Sequence, residues 1–246
     1  MKRMLALLTL LLFGLILFPG TPVIASGRLD PLQNGQKVCT GTWEFPLLYV
    51  GGKDGVVFAE AAYEFDENCN PVLVSETRLT SVPTWVTNPS QQPVDIKTVE
   101  AIEVPTSKVN SESDSILTVD TCHIRTFEED VIYLDMIAIQ TDQTYSWDNI
   151  RVTLSGGSTT ATTYYSWWYR SSGPHATKGY RSSQVAWAKG DASFYCKGGP
   201  FCGSQPSYNI TLYNDMTVDY QGGCGGYGTY SGSVVPGGRV RYRVWK

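Results

Sequence analysis

The chain reads as an all-β protein, an antiparallel β-sandwich or jelly roll held by disulfides. Three observations carry this. Apolar and polar residues alternate with a period of two along most of the chain, while long runs with a helical period are missing. Turn-forming residues recur at short intervals, as sandwiches require. Six cysteines, an even number, follow an export-type N-terminus.

The N-terminus has the layout of a secretory signal. Lys2 and Arg3 precede an apolar run from Met4 to Phe18, too short for a membrane-spanning helix. Pro19 and Gly20 end that run, and Val23-Ile24-Ala25 offers a cleavage site. Residues 1–25 are therefore expected to be removed. The mature chain is expected outside the cell, in a periplasm or in the cell envelope, with no membrane span. In that compartment Cys39, Cys69, Cys122, Cys196, Cys202 and Cys224 are expected to form disulfides. Three of them precede residue 155 and three follow it, so full pairing needs an odd number of bridges between the two halves. Cys196 can pair locally with Cys202, freeing Cys224 for the first half; the other choice pairs Cys202 with Cys224.

The two halves differ in composition. Residues 26–155 carry 8 Lys/Arg against 20 Asp/Glu, and residues 156–246 carry 9 against 3. The first region is acidic; the second is basic, aromatic and Gly-rich. Opposite charges within one chain need no outside ligand, so mutual packing is the simpler reading.

Individual segments follow the same periods. Residues 56–65 place Val57, Ala59, Ala61, Tyr63 and Phe65 on one face of a strand. Residues 65–71 read as a turn with Asx hydrogen bonds. Residues 131–140 are apolar on both faces and predict a central strand, turned by Thr141–Thr144; Ile150, Val152 and Leu154 then share a face. Residues 155–163 predict a linker or a long hairpin loop. Tyr165, Trp167 and Tyr169 are assigned to the core, which leaves Trp168 and Arg170 outside, and a loop around Gly173–Gly179 closes a hairpin. Asn214-Asp215 predicts a turn between two further strands. The C-terminal strand puts Val240, Tyr242 and Val244 inward and Arg239, Arg241, Arg243 and Trp245 outward.

Chemistry narrows mostly by exclusion. The zincin, nucleophile-elbow and P-loop motifs are missing from the sequence. No metal, cofactor or nucleic acid is expected. His175 lies near Ser171 and Ser172, but residues 160–190 contain no carboxylate to orient it. Glu128, Glu129 and Asp130, and the same-face pair Glu60 and Glu64, fit solvated strand faces. The resulting expectation is a non-catalytic extracellular binding or structural protein whose partner is a glycan or an anionic envelope polymer. Trp168, Arg170, Arg239, Arg241, Arg243 and Trp245 form the candidate surface. A hydrolase using carboxylates or the His175 loop is the alternative, and an envelope or matrix component without a small ligand is the third. The arginine row admits two arrangements: carboxylates from the acidic half lie against it, or it stands open for an anion.

Overall fold

A computed structural model of the chain describes residues 24–31, 37–88, 91–104, 118–197 and 208–246. The expected signal segment falls almost wholly outside them, as does Cys202.

The described chain forms, in order, β1 (Ile24–Pro31), β2 (Lys37–Glu44), β3 (Leu48–Val50), β4 (Phe58–Phe65), β5 (Pro71–Leu79), a single-turn helix α1 (Thr84–Thr87), β6 (Asp95–Glu100), β7 (Ile102–Glu103), β8 (Thr118–Glu129), β9 (Asp135–Trp147), β10 (Val152–Thr163), β11 (Trp168–Tyr180), β12 (Val185–Cys196), β13 (Tyr208–Asp219), β14 (Cys224–Val234) and β15 (Arg239–Trp245). One sheet runs β1-β2-β14-β13-β12-β11-β7, with β3 also paired to β14; the other runs β5-β4-β15-β8-β9-β10-β6. All pairings are antiparallel except β7 with β11. The result is the expected all-β sandwich.

Strands from before and after residue 155 are mixed within both sheets. β15 lies between β4 and β8, and β14 lies between β2 and β13. Cys39 pairs with Cys69, with Cα atoms 5.2 Å apart, and Cys122 pairs with Cys224 at 5.8 Å. The second bridge joins the two halves, as the cysteine count required. Cys196 is disulfide-bonded as well.

The core lies between the sheets. Trp43, Phe65 and Tyr230 pack together at one end, with Trp43–Phe65 centroids 4.8 Å apart. Ala59, Ala61, Tyr63, Val240, Tyr242 and Val244 face it, as the alternation of β4 and β15 predicts. One polar side chain ties the sheets together. Asn214 on β13 is buried; its Nδ2 donates to the carbonyls of Ile124 and Ile139 (3.1 and 3.3 Å), and its Oδ1 accepts from Thr126 Oγ1 at 2.6 Å.

This buried amide corrects one expectation. Asn214-Asp215 is no turn: β13 runs straight through it, because Asn214 is held by the opposite sheet rather than by its own backbone. The chain reverses at 220–223 instead. Similar shifts occur elsewhere. Val131–Leu134 form an exposed turn, held by Asp130 Oδ1 accepting from the backbone N–H groups of Ile132 and Leu134, so β9 begins only at Asp135. Thr141–Thr144 continue β9, and the reversal falls at Asp148–Arg151. Residues 155–163 are strand, not linker: β-branched Thr159, Thr162 and Thr163 are buried, which outweighs the loop character of the glycines. The turn at 65–71 is as expected, with Asp66 Oδ1 accepting from the N–H groups of Asn68 and Asn70.

Candidate functional site

The two sheets present very different outer faces. The candidate residues of the sequence reading fall mostly on the outer face of the seven-stranded sheet, and the part of that face around β15 is largely covered. The segment around α1 lies over it, with Val86 in a small apolar cluster with Phe58 and Trp245, and Tyr133 of the 131–134 turn packs on Arg239; a second small cluster joins Phe127, Ala138 and Tyr164.

The arginine row sits beneath. Arg239 Nε is 3.2 Å from Glu129, and Arg241 reaches Glu129 (2.6 Å), Asp135 (2.8 Å) and Glu60 (3.6 Å). Arg243 Nε lies 2.9 Å from Glu60. Every one of these carboxylates belongs to the acidic half, so the row is the ion-paired seam of the two expected arrangements. It is not an exposed ladder: Arg243 is only 4% exposed. Burial pushes Glu129 up to about 7 against the pull of Arg241 and Arg239. Trp245 is buried too, stacked on His123 at 4.9 Å, and His123 Nδ1 is 2.6 Å from Asp142.

Trp168 is a further correction. It faces the core, while Tyr169 is exposed and stacks on Tyr195 at 5.2 Å. A turn at 164–167 resets the alternation before β11 begins, so the phase counted from Tyr165 is off by one. Arg170 pairs with Asp95 at 2.7 Å. The structure thus gathers Arg239, Arg241, Arg243 and Trp245 on one face and leaves Trp168 and Arg170 apart from them.

His175 is exposed, but on strand β11 rather than in a loop, because the hairpin closes at 181–184. Directly across on β12, Asp191 Oδ2 lies 2.8 Å from its Nδ1. Ser193 Oγ hydrogen bonds with Thr211 Oγ1 at 2.9 Å. Among the described residues no group of three or more His, Cys, Asp or Glu side chains could hold a metal ion.

The other outer face is open, and sequence reasoning missed it. Alternation along β12, β13 and β14 puts Trp187, Lys189 and Asp191, then Tyr213, Asp215, Thr217 and Asp219, then Tyr227, Thr229 and Ser231 on one side. Tyr213 is 41% exposed. Hydroxyls pair across strands: Thr42 with Ser231 at 2.8 Å and Thr40 with Ser233 at 3.2 Å. Glycines shape this surface. A Cβ on Gly225 would come within 3.1 Å of the Tyr49 ring, and one on Gly179 within 2.9 Å of the Trp187 indole. Both aromatic rings therefore lie down across bare backbone.

A groove of about 720 Å³ is lined by Leu47, Tyr49, Tyr227, Thr217 and Gly225, together with Glu44, Asp219 and Arg181. It shares Glu44 and Tyr227 with a second depression of about 340 Å³ that continues toward Lys189, Tyr213 and Ser231. The tyrosines are held in place: Tyr49 donates to Asp219 at 2.7 Å and Tyr227 to Asp215 at 3.1 Å. Burial, followed by Asp215, pushes the Tyr227 phenol up to about 12, so it stays a donor at neutral pH. Lys189 Nζ lies 2.5 Å from Asp215. The signal for this face was the Thr211-Tyr213-Asp215-Thr217-Asp219 alternation, which reading Asn214-Asp215 as a turn had cut in two.

No protein-family model matches the chain, and neither a curated protein nor a solved structure is detectably similar to it. The disulfides fit an oxidising, extracellular compartment, and no described helix is long and apolar enough to cross a membrane.

Proposed function

We propose that the protein is secreted and binds a neutral glycan, without catalysis, on the outer face of the sheet that carries β12, β13 and β14. The carrying observation is the groove of about 720 Å³ bordered by Tyr49 and Tyr227. Aromatic rings present apolar faces to the C–H faces of sugars, while the surrounding carboxylates, hydroxyls and cations supply directed hydrogen bonds. Charge selects the glycan. Glu44, Asp215 and Asp219 outnumber Arg181 and Lys189 around the two depressions, which disfavours a polyanion here. Cleavage after Ala25 would remove Ile24 and Ala25 from β1 and leave Ser26–Pro31 paired with β2.

The test is electrophoresis of the secreted protein through gels containing neutral or anionic polysaccharides, with reducing ends assayed in parallel. Retardation by one or more neutral polymers, without new reducing ends, is expected. Release of reducing ends would establish the hydrolase instead, and no retardation by any polymer would leave the structural-component reading. Mass analysis should place the mature N-terminus at or near Ser26; an intact Met1–Ala25 segment on secreted protein would contradict that part.

A further inference from the structure

We propose a second binding site on the opposite face, a groove between Trp85 and Tyr133 in which Arg125 and Arg243 receive an oxyanion carried on a compact sugar or apolar body. The groove holds about 340 Å³ and has Phe127 and Arg241 among its walls. That volume lies within the range of small-molecule pockets.

The charge arrangement asks for such a ligand. Arg125 on β8 and Arg243 on β15 are directly opposite one another in the ladder. Like charges in that position repel. Arg243 has Glu60 beside it, but Glu60 is shared with Arg241. Among the described residues no carboxylate pairs with Arg125; one of its terminal nitrogens donates to the Tyr164 hydroxyl. The Nε atom of Arg125 is buried without a hydrogen bond, whereas that of Arg243 lies 2.9 Å from Glu60. Burial, then the neighbouring Arg241, lowers Arg243 to about 10 against the pull of Glu60.

The rings decide what kind of anion fits. The guanidinium carbons of Arg125 and Arg243 lie 4.6 and 4.4 Å from the Phe127 centroid, and Trp85 lies 4.7 Å from Arg243. Ring contacts occupy the flat surfaces of a guanidinium and leave its in-plane N–H rim for a polar partner. Two such rims side by side match a carboxylate, sulfate or phosphate. Phe127 and Trp85 offer apolar surface to whatever carries it. A uronic-acid sugar combines both features.

Thermal unfolding of the full chain tests this, with sodium glucuronate, sodium sulfate, glucose and ionic-strength-matched chloride as probes. Glucuronate is expected to raise Tm by about 3 °C over chloride, and glucose to have no such effect at this site. A sulfate shift beside the glucuronate shift means that the oxyanion suffices; a glucuronate shift alone means that the sugar body is read as well. Arg125→Gln should abolish the shift. Arg125→Lys, which keeps the charge and loses the fork, should weaken binding about tenfold, and it decides the matter if the glutamine variant does not fold. No oxyanion shift over chloride, or a full shift in Arg125→Gln, would overturn the proposal. The glycan reading concerns the other face and stands or falls separately.

Discussion

The two outer faces of the sandwich are made from similar strands and used in opposite ways. On the seven-stranded sheet, Arg239, Arg241 and Arg243 lie under α1 and the 131–134 turn, locked to Glu60, Glu129 and Asp135. On the other, Tyr213, Tyr227 and the threonine and serine pairs stay uncovered along a groove. Charge on a strand face is thus no guide to function by itself. The charged face is the one largely covered, since the carboxylates that neutralise it sit on neighbouring strands and an apolar segment can then lie over it, leaving the groove beside Arg125 and Arg243. The less charged face keeps its aromatic rings accessible.

This contrast can be broken most forcefully at Arg243. Arg243→Ala removes the nearer of the two arginines paired with half-buried Glu60 and should cost about 3 kcal/mol of stability, read from urea denaturation. A loss under about 0.5 kcal/mol would show that the seam is not structural. Next is Asn214, which both sheets share. Asn214→Ala strands Thr126 Oγ1 and should cost about 2 kcal/mol, with no preference for either face's binding behaviour.

A pH experiment sharpens the picture inside the sandwich. Glu128 faces the core next to the Tyr230 hydroxyl at 3.5 Å, and burial pushes its carboxyl well above the usual range, with Asp130 adding to the rise. At low pH the group is protonated in folded and unfolded chains alike. Above its unfolded value near 4.5, the unfolded chain releases the proton while the folded chain keeps it, so stability declines as pH rises. Glu129, raised to about 7, acts in the same direction between about 4.5 and 7. Tm of the wild type should therefore fall between pH 5 and pH 8, and Glu128→Gln should flatten part of that fall. An unchanged slope in the variant would remove Glu128 from the account. The smallest stability effect belongs to the open face: Tyr213→Ala should change stability by no more than about 0.5 kcal/mol.

Much of the architecture was legible in the sequence. Alternation located β4 and β15 and oriented β15 correctly, and cysteine parity required a bridge between the halves, found as Cys122–Cys224. What failed had causes that alternation alone does not carry. Asn214 resembles a turn residue locally and is a buried link between sheets in the fold. The turn at 164–167 shifted the phase that placed Trp168. The alternation that turned the arginines outward from the core was right, but nothing in it announced that α1 would cover them. The open groove depends on glycines such as Gly225, whose role shows only once Tyr49 is seen lying across it.

The central claim is that glycan binding resides on the Tyr213–Tyr227 face, while the ion-paired arginines of β15 hold the opposite face together. The direct measurement is the double variant Tyr213→Ala/Tyr227→Ala, assayed for retardation by the neutral polysaccharide that retards the wild type and, in the same preparation, for Tm. The account predicts at least a tenfold loss of affinity, about 1.4 kcal/mol or more, with Tm within a few degrees of the wild type. Undiminished retardation by a folded double variant would contradict it.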